Sequence, residues 1–300
     1  MAVTDPPLLE GRGLGFAYER GRPVLDGADI AVPAGRRIAV LGPNGGGKTT
    51  LFRLLVGLLT PTSGQVLLDG DVLRPGRRAL TRLRERVQLV VQDPDDQLFA
   101  ADVAQDVSFG PLNLGLGPDE VDRRVAEALA AMDVADLADR PTHLLSFGQR
   151  KRVSIAGALA MRPRLLILDE PNAGLDPSGV DALLAAVDAL HEAGTTVMIS
   201  THDVDLAHRW ADDVAVVAGG RVRTGPAGAV LGDVAGLRSA RLAPAWAPGV
   251  HRLLRELGVP GRPRTAGELA DLLAATPLRA PADGDGPGAG SGGDRVVGRG

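Results

Sequence analysis

Cysteine is absent from this 300-residue chain, and lysine and tyrosine are nearly absent. Without cysteine the protein can form no disulfide, cysteine nucleophile or cysteine–metal site. Lysine occurs only as Lys48 and Lys151, beside 31 arginines, and the single tyrosine is Tyr18. An arginine-rich, lysine-poor balance is typical of high-GC coding bias and says nothing about function. The two lysines and the tyrosine are therefore the positions to locate.

Long apolar runs and a basic surplus are also missing. No stretch of about 18 consecutive apolar residues occurs, so no transmembrane helix is predicted. The first 13 residues lack the apolar region of a signal peptide. Acidic residues outnumber basic ones by 37 to 33, which gives no support to nucleic-acid binding. We therefore expect a cytoplasmic protein without a nucleic-acid partner.

Short apolar runs alternate with helical segments along most of the chain. Runs without polar residues at every second position are typical of parallel strands buried on both faces. They lie at 37–41, 87–92, 165–168, 196–200 and 214–217. Helical spacing of apolar residues predicts helices at 121–132 and 180–193, and further helices are expected at 49–59, 249–257 and 266–274. The pattern predicts an α/β protein.

Composition divides the chain into three parts. Residues 8–230 carry the α/β pattern and include a mainly helical stretch, about 93–161, that we expect to form an inserted subdomain. Residues 231–279 are rich in Ala, Pro, Gly and Arg and are interpreted as a C-terminal extension. Residues 280–300 have low complexity, which predicts disorder.

A glycine-rich loop follows the first of these parallel strands. Residues 42–49, Gly-Pro-Asn-Gly-Gly-Gly-Lys-Thr, fit the pattern G-x-x-x-x-G-K-[ST] between a strand and a helix. Glycines let successive N–H groups point at a phosphate, and the helix N-terminus adds positive partial charge. Lys48 is expected to reach the β- and γ-phosphates, and Thr49 to ligate Mg²⁺. The alternative is a glycine-rich turn with an incidental lysine.

Two acids end the apolar run 165–168. Asp169 and Glu170 would lie at the carboxyl edge of a parallel sheet, where ligands bind. Asp169 is suited to holding Mg²⁺ and Glu170 to polarising a water that attacks the γ-phosphorus. Alternatively, the two acids merely cap the following helix.

Further motifs follow in a fixed order. They are Tyr18, Gln92, Leu-Ser-Phe-Gly-Gln at 145–149, Gly-Leu-Asp at 174–176, and His202. Together with the phosphate loop and the carboxylates, they resemble the ATP-binding subunit of ABC transporters over about residues 8–230. The resemblance implies a P-loop NTPase (RecA-like) core with an N-terminal antiparallel β subdomain and an inserted α-helical subdomain.

The same resemblance implies ATP and Mg²⁺ as cofactors and a role for each matching position. Catalytic roles fall on Glu170, His202, Lys48 and Gln92. Mg²⁺ ligation falls on Thr49, Gln92 and Asp169. Asp176 would lie at the interface of a head-to-tail dimer, in which each ATP lies between one phosphate loop and the opposite signature. The implied ATP-binding residues, with Tyr18 stacking on adenine, are Tyr18, Gly42, Pro43, Asn44, Gly45, Gly46, Gly47, Lys48, Thr49, Thr50, Ser146, Gly148 and Gln149.

The signature segment departs from the family pattern. Phe147 replaces its first glycine, and a side chain there could hinder close backbone approach to phosphate. Asn172 stands where many members carry threonine. Lys151, between Arg150 and Arg152, belongs to a basic cluster that could meet phosphate or a dimer partner, or lie on a solvated helix face.

Residues 92–116 resemble more specifically the energy-coupling-factor branch of ABC importers, which take up vitamins and transition-metal ions. The Leu-Ser-Phe-Gly-Gln variant favours the cobalt or nickel type over the vitamin type. This branch implies a peripheral protein on the cytoplasmic face of the membrane, bound to a transmembrane coupling subunit and a substrate-binding membrane subunit. Both a homodimer and a heterodimer with a paralogous ATPase fit the motifs.

A partner groove is expected next to Gln92. Asp95 and Asp96, with Asp93, lie beside apolar Phe99, and Leu98 and Phe109 are close in sequence. An acidic rim around an apolar groove suits an amphipathic helix that bears arginines. The alternative is a solvated acidic turn with two core phenylalanines.

Two other functions compete with a transporter motor. A soluble ABC ATPase acting on ribosomes or DNA usually has two such domains or a coiled-coil insert, and this chain shows neither. A silent regulatory nucleotide binder would not need the full set of Lys48, Glu170 and His202.

Overall fold

The computed structural model describes residues 6–276, except positions 20, 75 and 264. This part of the chain forms two compact units, the first ending at Pro248 and the second beginning at Gly249. The low-complexity segment 280–300 lies outside the described residues, as do the last three residues of the expected extension.

Ten strands and eleven α-helices are found in the described residues. In chain order they are β1 (Leu9–Phe16), β2 (Leu25–Val32), β3 (Arg37–Leu41), α1 (Lys48–Leu55), β4 (Ser63–Leu68), β5 (Asp71–Val72), α2 (Arg77–Arg86), β6 (Val87–Val90), α3 (Val103–Asn113), α4 (Pro118–Ala131), α5 (Phe147–Leu159), β7 (Leu165–Leu168), α6 (Pro177–Glu192), β8 (Thr196–Thr201), α7 (Val204–Trp210), β9 (Asp213–Ala218), β10 (Arg221–Pro226), α8 (Ala227–Gly232), α9 (Val234–Ser239), α10 (Trp246–Glu256) and α11 (Ala266–Ala275).

Two sheets organise the first unit. Strands β2-β1-β4-β5 form an antiparallel sheet, and β10-β9-β3-β8-β7-β6 form a six-stranded sheet. In the larger sheet all neighbouring pairs are parallel except β9 with the edge strand β10. The carboxyl ends of β3, β7 and β8 therefore reach one edge of the sheet, where the predicted site residues follow them.

The parallel strands are buried on both faces. In β3, Ile38 and Val40 belong to one hydrophobic cluster, whereas Ala39 and Leu41 belong to the other. The first cluster also contains buried residues of the antiparallel sheet and α1, and the second contains those of the helical insertion. Two-sided burial explains the uninterrupted apolar runs, because both faces of each strand need apolar side chains.

Helices α3, α4 and α5, which come between β6 and β7 in the sequence, pack on one another. Asp102 caps α3 by accepting a hydrogen bond from the N–H of Gln105, and Pro118 begins α4. Both features are favourable at helix starts. The structure thus confirms an α/β fold with an antiparallel β part and an inserted helical part.

Several boundaries differ from the sequence prediction. Strand β6 ends at Val90 rather than position 92, because the N–H of Val91 donates to the Gln97 side chain instead of to a strand. Helix α1 ends at Leu55, shortly before Gly57 with its φ of 70°. The first compact unit extends 18 residues beyond position 230 and includes α8 and α9, whose Val230, Leu231 and Leu237 are buried in its core.

The second unit, residues 249–276 in the described structure, contains most of α10 and all of α11. Thr265 caps α11 by accepting a hydrogen bond from the N–H of Glu268. The Nε2 atom of His251 lies 2.7 Å from the carbonyl oxygen of Pro263. Across the described residues of the whole chain, no helix is long and apolar enough to span a bilayer.

Candidate active site

The glycine-rich loop links β3 to α1. Gly47 caps α1 with a φ of 103°, a conformation that favours glycine. A side chain at Gly42 would place its Cβ atom 2.6 Å from the carbonyl oxygen of Val217, so the loop is held close to β9. The loop therefore requires glycine for its own backbone geometry.

Lys48 is buried at the start of α1, with 6% of its surface exposed. Its Nζ atom donates to the carbonyl oxygen of Gly42 at 2.9 Å. The same atom lies 3.1 Å from Oε1 of Glu170, with which it forms a buried ion pair. The structure thus joins the two residues that sequence analysis assigned to the γ-phosphate and to the attacking water.

Asp169 follows β7 and contacts the phosphate loop. Its Oδ2 atom accepts a 2.6 Å hydrogen bond from the hydroxyl of Thr49. Its Oδ1 atom accepts one of 2.5 Å from the hydroxyl of Ser200, which in turn accepts a bond from the N–H of Glu170. Ser200, fully buried at the end of β8, therefore orients both acids.

Glu170 has a left-handed backbone with a φ of 45°, which is uncommon for a residue with a side chain. Its Oε2 atom lies 3.2 Å from Nδ1 of His202, which follows β8. The His202 side chain is 60% exposed, so it stands at the mouth of the site. Three elements of the sheet edge thus converge on one carboxylate.

A cleft of about 410 Å³ opens over these groups. It is lined by loop residues 44–50, Gln92, Glu170 and His202, with Tyr18 and Val24 at one side. The ring of Tyr18 is 57% exposed and packs edge-to-face on Phe16 at 5.0 Å, and its hydroxyl lies 3.3 Å from Oγ1 of Thr50. An exposed ring beside the phosphate loop is available for stacking on a base.

The signature segment does not line this cleft in the described structure. Ser146 caps α5, accepting a hydrogen bond from the N–H of Gln149, whose side chain accepts one from the N–H of Ser146. This capping box uses both side chains within their own helix end. Within one chain, Ser146, Gly148 and Gln149 are not among the residues that line this cleft.

Two further predicted residues have local roles. The ring of Phe147 turns toward Gly174, where an added Cβ would lie 2.7 Å from the Phe147 Cε1 atom. Asp176 caps α6, accepting hydrogen bonds from the N–H of Gly179 and the hydroxyl of Ser178. The aromatic side chain that replaces the usual glycine is therefore packed within its own chain.

Lys151 does not lie on a solvated helix face, in contrast to one expectation for the basic cluster. Its side chain is 1% exposed, because α5 directs it beneath the loops that carry Gln92 and Glu170. Burial lowers the pKa of the Lys151 ammonium to about 8, although the carboxylates of Asp93, Glu170 and Asp169 act to raise it. The neighbouring Arg150 and Arg152 form ion pairs with Asp95 and Asp133.

The residues of the expected partner groove separate in the structure. Phe99, 64% exposed, lies in edge-to-face contact with Phe109, and both line a groove of about 930 Å³. Asp95 is ion-paired with Arg150 at 2.8 Å. Asp93 and Asp96 line another cleft, of about 450 Å³, with Thr49, Gln92 and Asp169. Phe99 and Phe109 are thus not core residues, and the three acids do not line their groove.

Sequence analysis missed Ser200 entirely and left Lys151 without a role. A serine within an apolar strand, two positions before His202, was a signal for Ser200 because a buried hydroxyl needs partners. The scarcity of lysine was the signal for Lys151.

Comparisons with known proteins identify the family of this chain. The family described as ABC transporter matches residues 25–173. The cobalt import ATP-binding protein CbiO of Rhodobacter capsulatus is 54% identical over 239 residues, covering 79% of this chain and 85% of that protein. The chain belongs to the ABC transporter ATP-binding proteins.

Two more similarities place this ABC ATPase in the energy-coupling-factor branch. The energy-coupling factor transporter ATP-binding protein EcfA of Methanocaldococcus jannaschii is 46% identical over 236 residues, covering 78% of this chain and 85% of that protein. The solved structure of CbiO1 from Clostridium perfringens, part of the transporter complex CbiONQ, has a TM-score of 0.71 and 41% identity, covering 84% of this chain and all of that one. The chain is therefore an ATP-binding subunit whose ATP hydrolysis is coupled to transport.

Proposed function

We propose that this ABC ATPase drives the import of a transition-metal ion, cobalt above others, through ATP-dependent closing and opening of a dimer. The catalytic part of this proposal rests on one observation. Lys48, Glu170 and His202 meet in one cleft, beside the hydrogen-bonded pair of Thr49 and Asp169. These contacts join the phosphate loop, the end of β7 and the end of β8, which are far apart in sequence.

Glu170 is the proposed general base. Its carboxylate would accept a proton from the attacking water as the bond from the γ-phosphorus to the bridging oxygen breaks and ADP leaves. Lys48 would exchange its ion pair with Glu170 for contacts to the β- and γ-phosphates. His202, held by Glu170 through Nδ1, would contact the γ-phosphate, and Tyr18 would stack on adenine.

Mg²⁺ fits the donor set beside the phosphate loop. Thr49 Oγ1 and Asp169 Oδ2 lie 2.6 Å apart, and Gln92 lines the same cleft. No group of three or more acidic or histidine side chains that could hold a metal occurs in the described residues. This absence does not argue against Mg²⁺, because Mg²⁺ is usually held by only one or two protein side chains together with phosphate oxygens of the substrate. When bound, Mg²⁺ would neutralise charge on the phosphate oxygens.

A head-to-tail dimer would complete the site. Ser146, Gly148 and Gln149 lie at the N-terminus of α5, where N–H groups favour an anion. In the proposed dimer they face the γ-phosphate bound by the partner, and Asp176 lies at the interface. Hydrolysis would remove the group that bridges the two subunits, so the dimer could open. The partner is a second copy or a paralogous ATPase.

Membrane subunits are the other proposed partners. The groove with exposed Phe99 and Phe109 suits the apolar face of a coupling helix, and Asp96 could pair with a basic residue nearby. Through this contact the subunit would sit on the cytoplasmic face of the membrane, with a transmembrane coupling subunit and a substrate-binding subunit. CbiO1 of Clostridium perfringens is itself described as part of a complex.

The groove can be tested by replacing Phe99. Phe99→Ser should abolish co-purification with the coupling subunit while ATP binding persists, and Asp96→Arg should weaken it. Val72→Ser is the control, since Val72 is an exposed apolar residue on β5, outside the groove and away in sequence from the signature segment. Asp95→Arg is less informative because it also breaks the ion pair with Arg150. Unchanged co-purification of Phe99→Ser would contradict the groove assignment.

Cobalt is favoured over a vitamin by the signature variant and by the CbiO relatives. Uptake of labelled cobalt, nickel and vitamins by a deletion strain tests this choice directly. Loss of cobalt uptake, with vitamin uptake retained, is expected. Loss of vitamin uptake alone would favour the vitamin-type alternative.

The catalytic assignment is tested by Glu170→Gln in the full-length chain. We expect steady-state ATP hydrolysis to fall by about 100-fold or more while ATP still binds. Glu192→Gln makes the same chemical change at an exposed position at the end of α6 and should leave the rate unchanged. Equal hydrolysis by wild type and Glu170→Gln would refute the assigned role.

A further inference from the structure

The buried ammonium of Lys151 contacts three carbonyl oxygens in two loops, the loop after β6 and the loop after β7. Its Nζ atom donates to the carbonyl oxygens of Gln92 at 3.0 Å, Glu170 at 3.1 Å and Ala173 at 3.3 Å. Two of these carbonyls belong to residues that carry proposed catalytic side chains. Lys151 itself lies on α5, two residues after the signature segment.

The chemistry of the three contacts explains why lysine stands here. An ammonium has three N–H donors and no acceptor, so three carbonyl oxygens use its full capacity. A planar guanidinium is larger and presents its donors in a fixed fork. The chain uses arginine almost everywhere else, and Lys48 is its other lysine.

Phe147 joins the same cluster. Its ring lies 5.5 Å from the Lys151 Nζ atom, within the range of a cation–π contact. The ring also packs against Gly174, next to the Ala173 carbonyl that Lys151 holds. The residue that departs from the usual signature glycine therefore contacts both the buried cation and the loop after Glu170.

We propose that Lys151 is a positioning residue that holds the backbone of Gln92, Glu170 and Ala173 against the start of α5, with Phe147 closing the contact. This inference rests on the proposed roles of Glu170 and Gln92. Through Lys151, a movement of the signature segment is transmitted to the loops that carry these two side chains, so hydrolysis depends on where α5 sits. Nucleotide binding by the phosphate loop does not depend on Lys151.

Lys151→Met tests the inference in the full-length chain, because methionine has similar length but no donor. Steady-state kcat should fall about tenfold to 100-fold, while the dissociation constant for the fluorescent analogue MANT-ATP stays within about threefold. Lys151→Arg should not restore kcat, whereas Lys151→Gln, with two N–H donors, should retain more of it than Lys151→Met. Lys151→Gln also serves as the test if Lys151→Met fails to fold.

Arg152→Met is the matched control on the same helix. Arg152 contacts Asp133 and neither of the two loops that Lys151 holds, so its loss should leave kcat within about twofold. An unchanged kcat in both Lys151→Met and Lys151→Gln would overturn the inference. So would a parallel loss of kcat and MANT-ATP binding, which would indicate a structural role only.

A double-mutant cycle with Phe147→Gly tests the role of the aromatic ring. The effects of Lys151→Met and Phe147→Gly on kcat should be strongly non-additive, since the two residues contact each other. Additive effects would remove Phe147 from the proposal. Glu170→Gln, measured alongside, distinguishes failure of the proposed function from failure of the Lys151 proposal. If Glu170→Gln leaves hydrolysis intact, the proposed function fails. If Glu170→Gln abolishes hydrolysis and the Lys151 variants do not affect it, only the role of Lys151 fails.

Discussion

The phosphate-loop region and the signature segment both carry polar residues for nucleotide chemistry, yet the polar side chains of the two regions have different kinds of bonding partners. Around the phosphate loop, Lys48, Thr49 and Asp169 bond to groups from other elements of the sheet edge. At the start of α5, Ser146 and Gln149 bond to each other. The phosphate-loop side chains therefore form a network that joins several elements of the fold, whereas Ser146 and Gln149 are bonded within a single helix end.

This difference indicates which contacts the fold itself supplies. The phosphate-loop network assembles when the parallel sheet forms, so a single chain can present a nucleotide cleft. Ser146 and Gln149 need only their own helix end as hydrogen-bond partners, and Ser146 remains exposed to a group from outside the chain. The following predictions test that division, from the largest expected effect to the smallest.

Replacing Lys48 should have the largest effect because it damages the cross-fold network. Lys48→Met should reduce ATP hydrolysis by about 1,000-fold. It should also destabilise the fold by on the order of 3 kcal/mol, since buried Glu170 loses its cation. Adding Glu170→Gln should recover most of that stability and none of the activity. Urea unfolding measures both variants, and an undiminished midpoint for Lys48→Met would show that the ion pair contributes nothing to stability.

Replacing Ser146 should separate hydrolysis from binding. Ser146→Ala should lower kcat by about 100-fold, because the proposed hydrogen-bond donor to the γ-phosphate is lost, while ATP affinity of the isolated chain is unchanged. It should also cost about 1 kcal/mol of stability through loss of the helix cap.

Thr265→Ala is the control for that cap effect. It removes a capping hydroxyl from α11 and should leave hydrolysis intact. A Ser146→Ala variant that hydrolyses ATP at the normal rate would break the distinction between the two regions.

Replacing Ser200 should loosen the network without removing a reacting group. Ser200→Ala deletes the hydrogen bonds to Asp169 and from the N–H of Glu170, so kcat should fall about tenfold. Stability should fall by about 1–3 kcal/mol because a buried donor is left unpaired. Ser239→Ala, which removes an exposed hydroxyl that bonds to the carbonyl of Gly236, is the control and should change neither quantity.

Replacing Tyr18 should have the smallest effect. Tyr18→Ala should raise the dissociation constant for ATP on the order of fivefold, because one stacking contact is lost. Tyr18→Phe should bind within about twofold of wild type, since the hydroxyl makes only a 3.3 Å contact with Thr50. Equal affinity of all three proteins would remove Tyr18 from the nucleotide site.

The parts of the fold that sequence predicts best are those with local physical requirements. The apolar runs of β3, β7 and β8 needed only burial on both faces, and the glycine-rich loop needed only its strand and helix. Strand and helix ends were less predictable, since the end of β6 depends on the side chain of Gln97.

Contacts between distant segments were out of reach of the sequence. Lys151 looked like one member of a basic surface cluster, because nothing local shows that α5 turns it toward carbonyls 59, 19 and 22 residues away. Phe147 likewise looked like an obstacle to phosphate until its contact with Gly174 was visible. The separation of Asp96 from Phe99 also depends on packing rather than on spacing.

The burial of both lysines has a practical consequence for labelling. Lys48 and Lys151 are 6% and 1% exposed, so the folded chain presents hardly any side-chain amine to its surroundings. Amine-directed reagents and enzymatic lysine acylation therefore find almost no lysine side chain at the surface. The rate at which Lys48 is labelled therefore becomes a measure of phosphate-loop occupancy, in a protein where arginine supplies nearly all the other basic side chains.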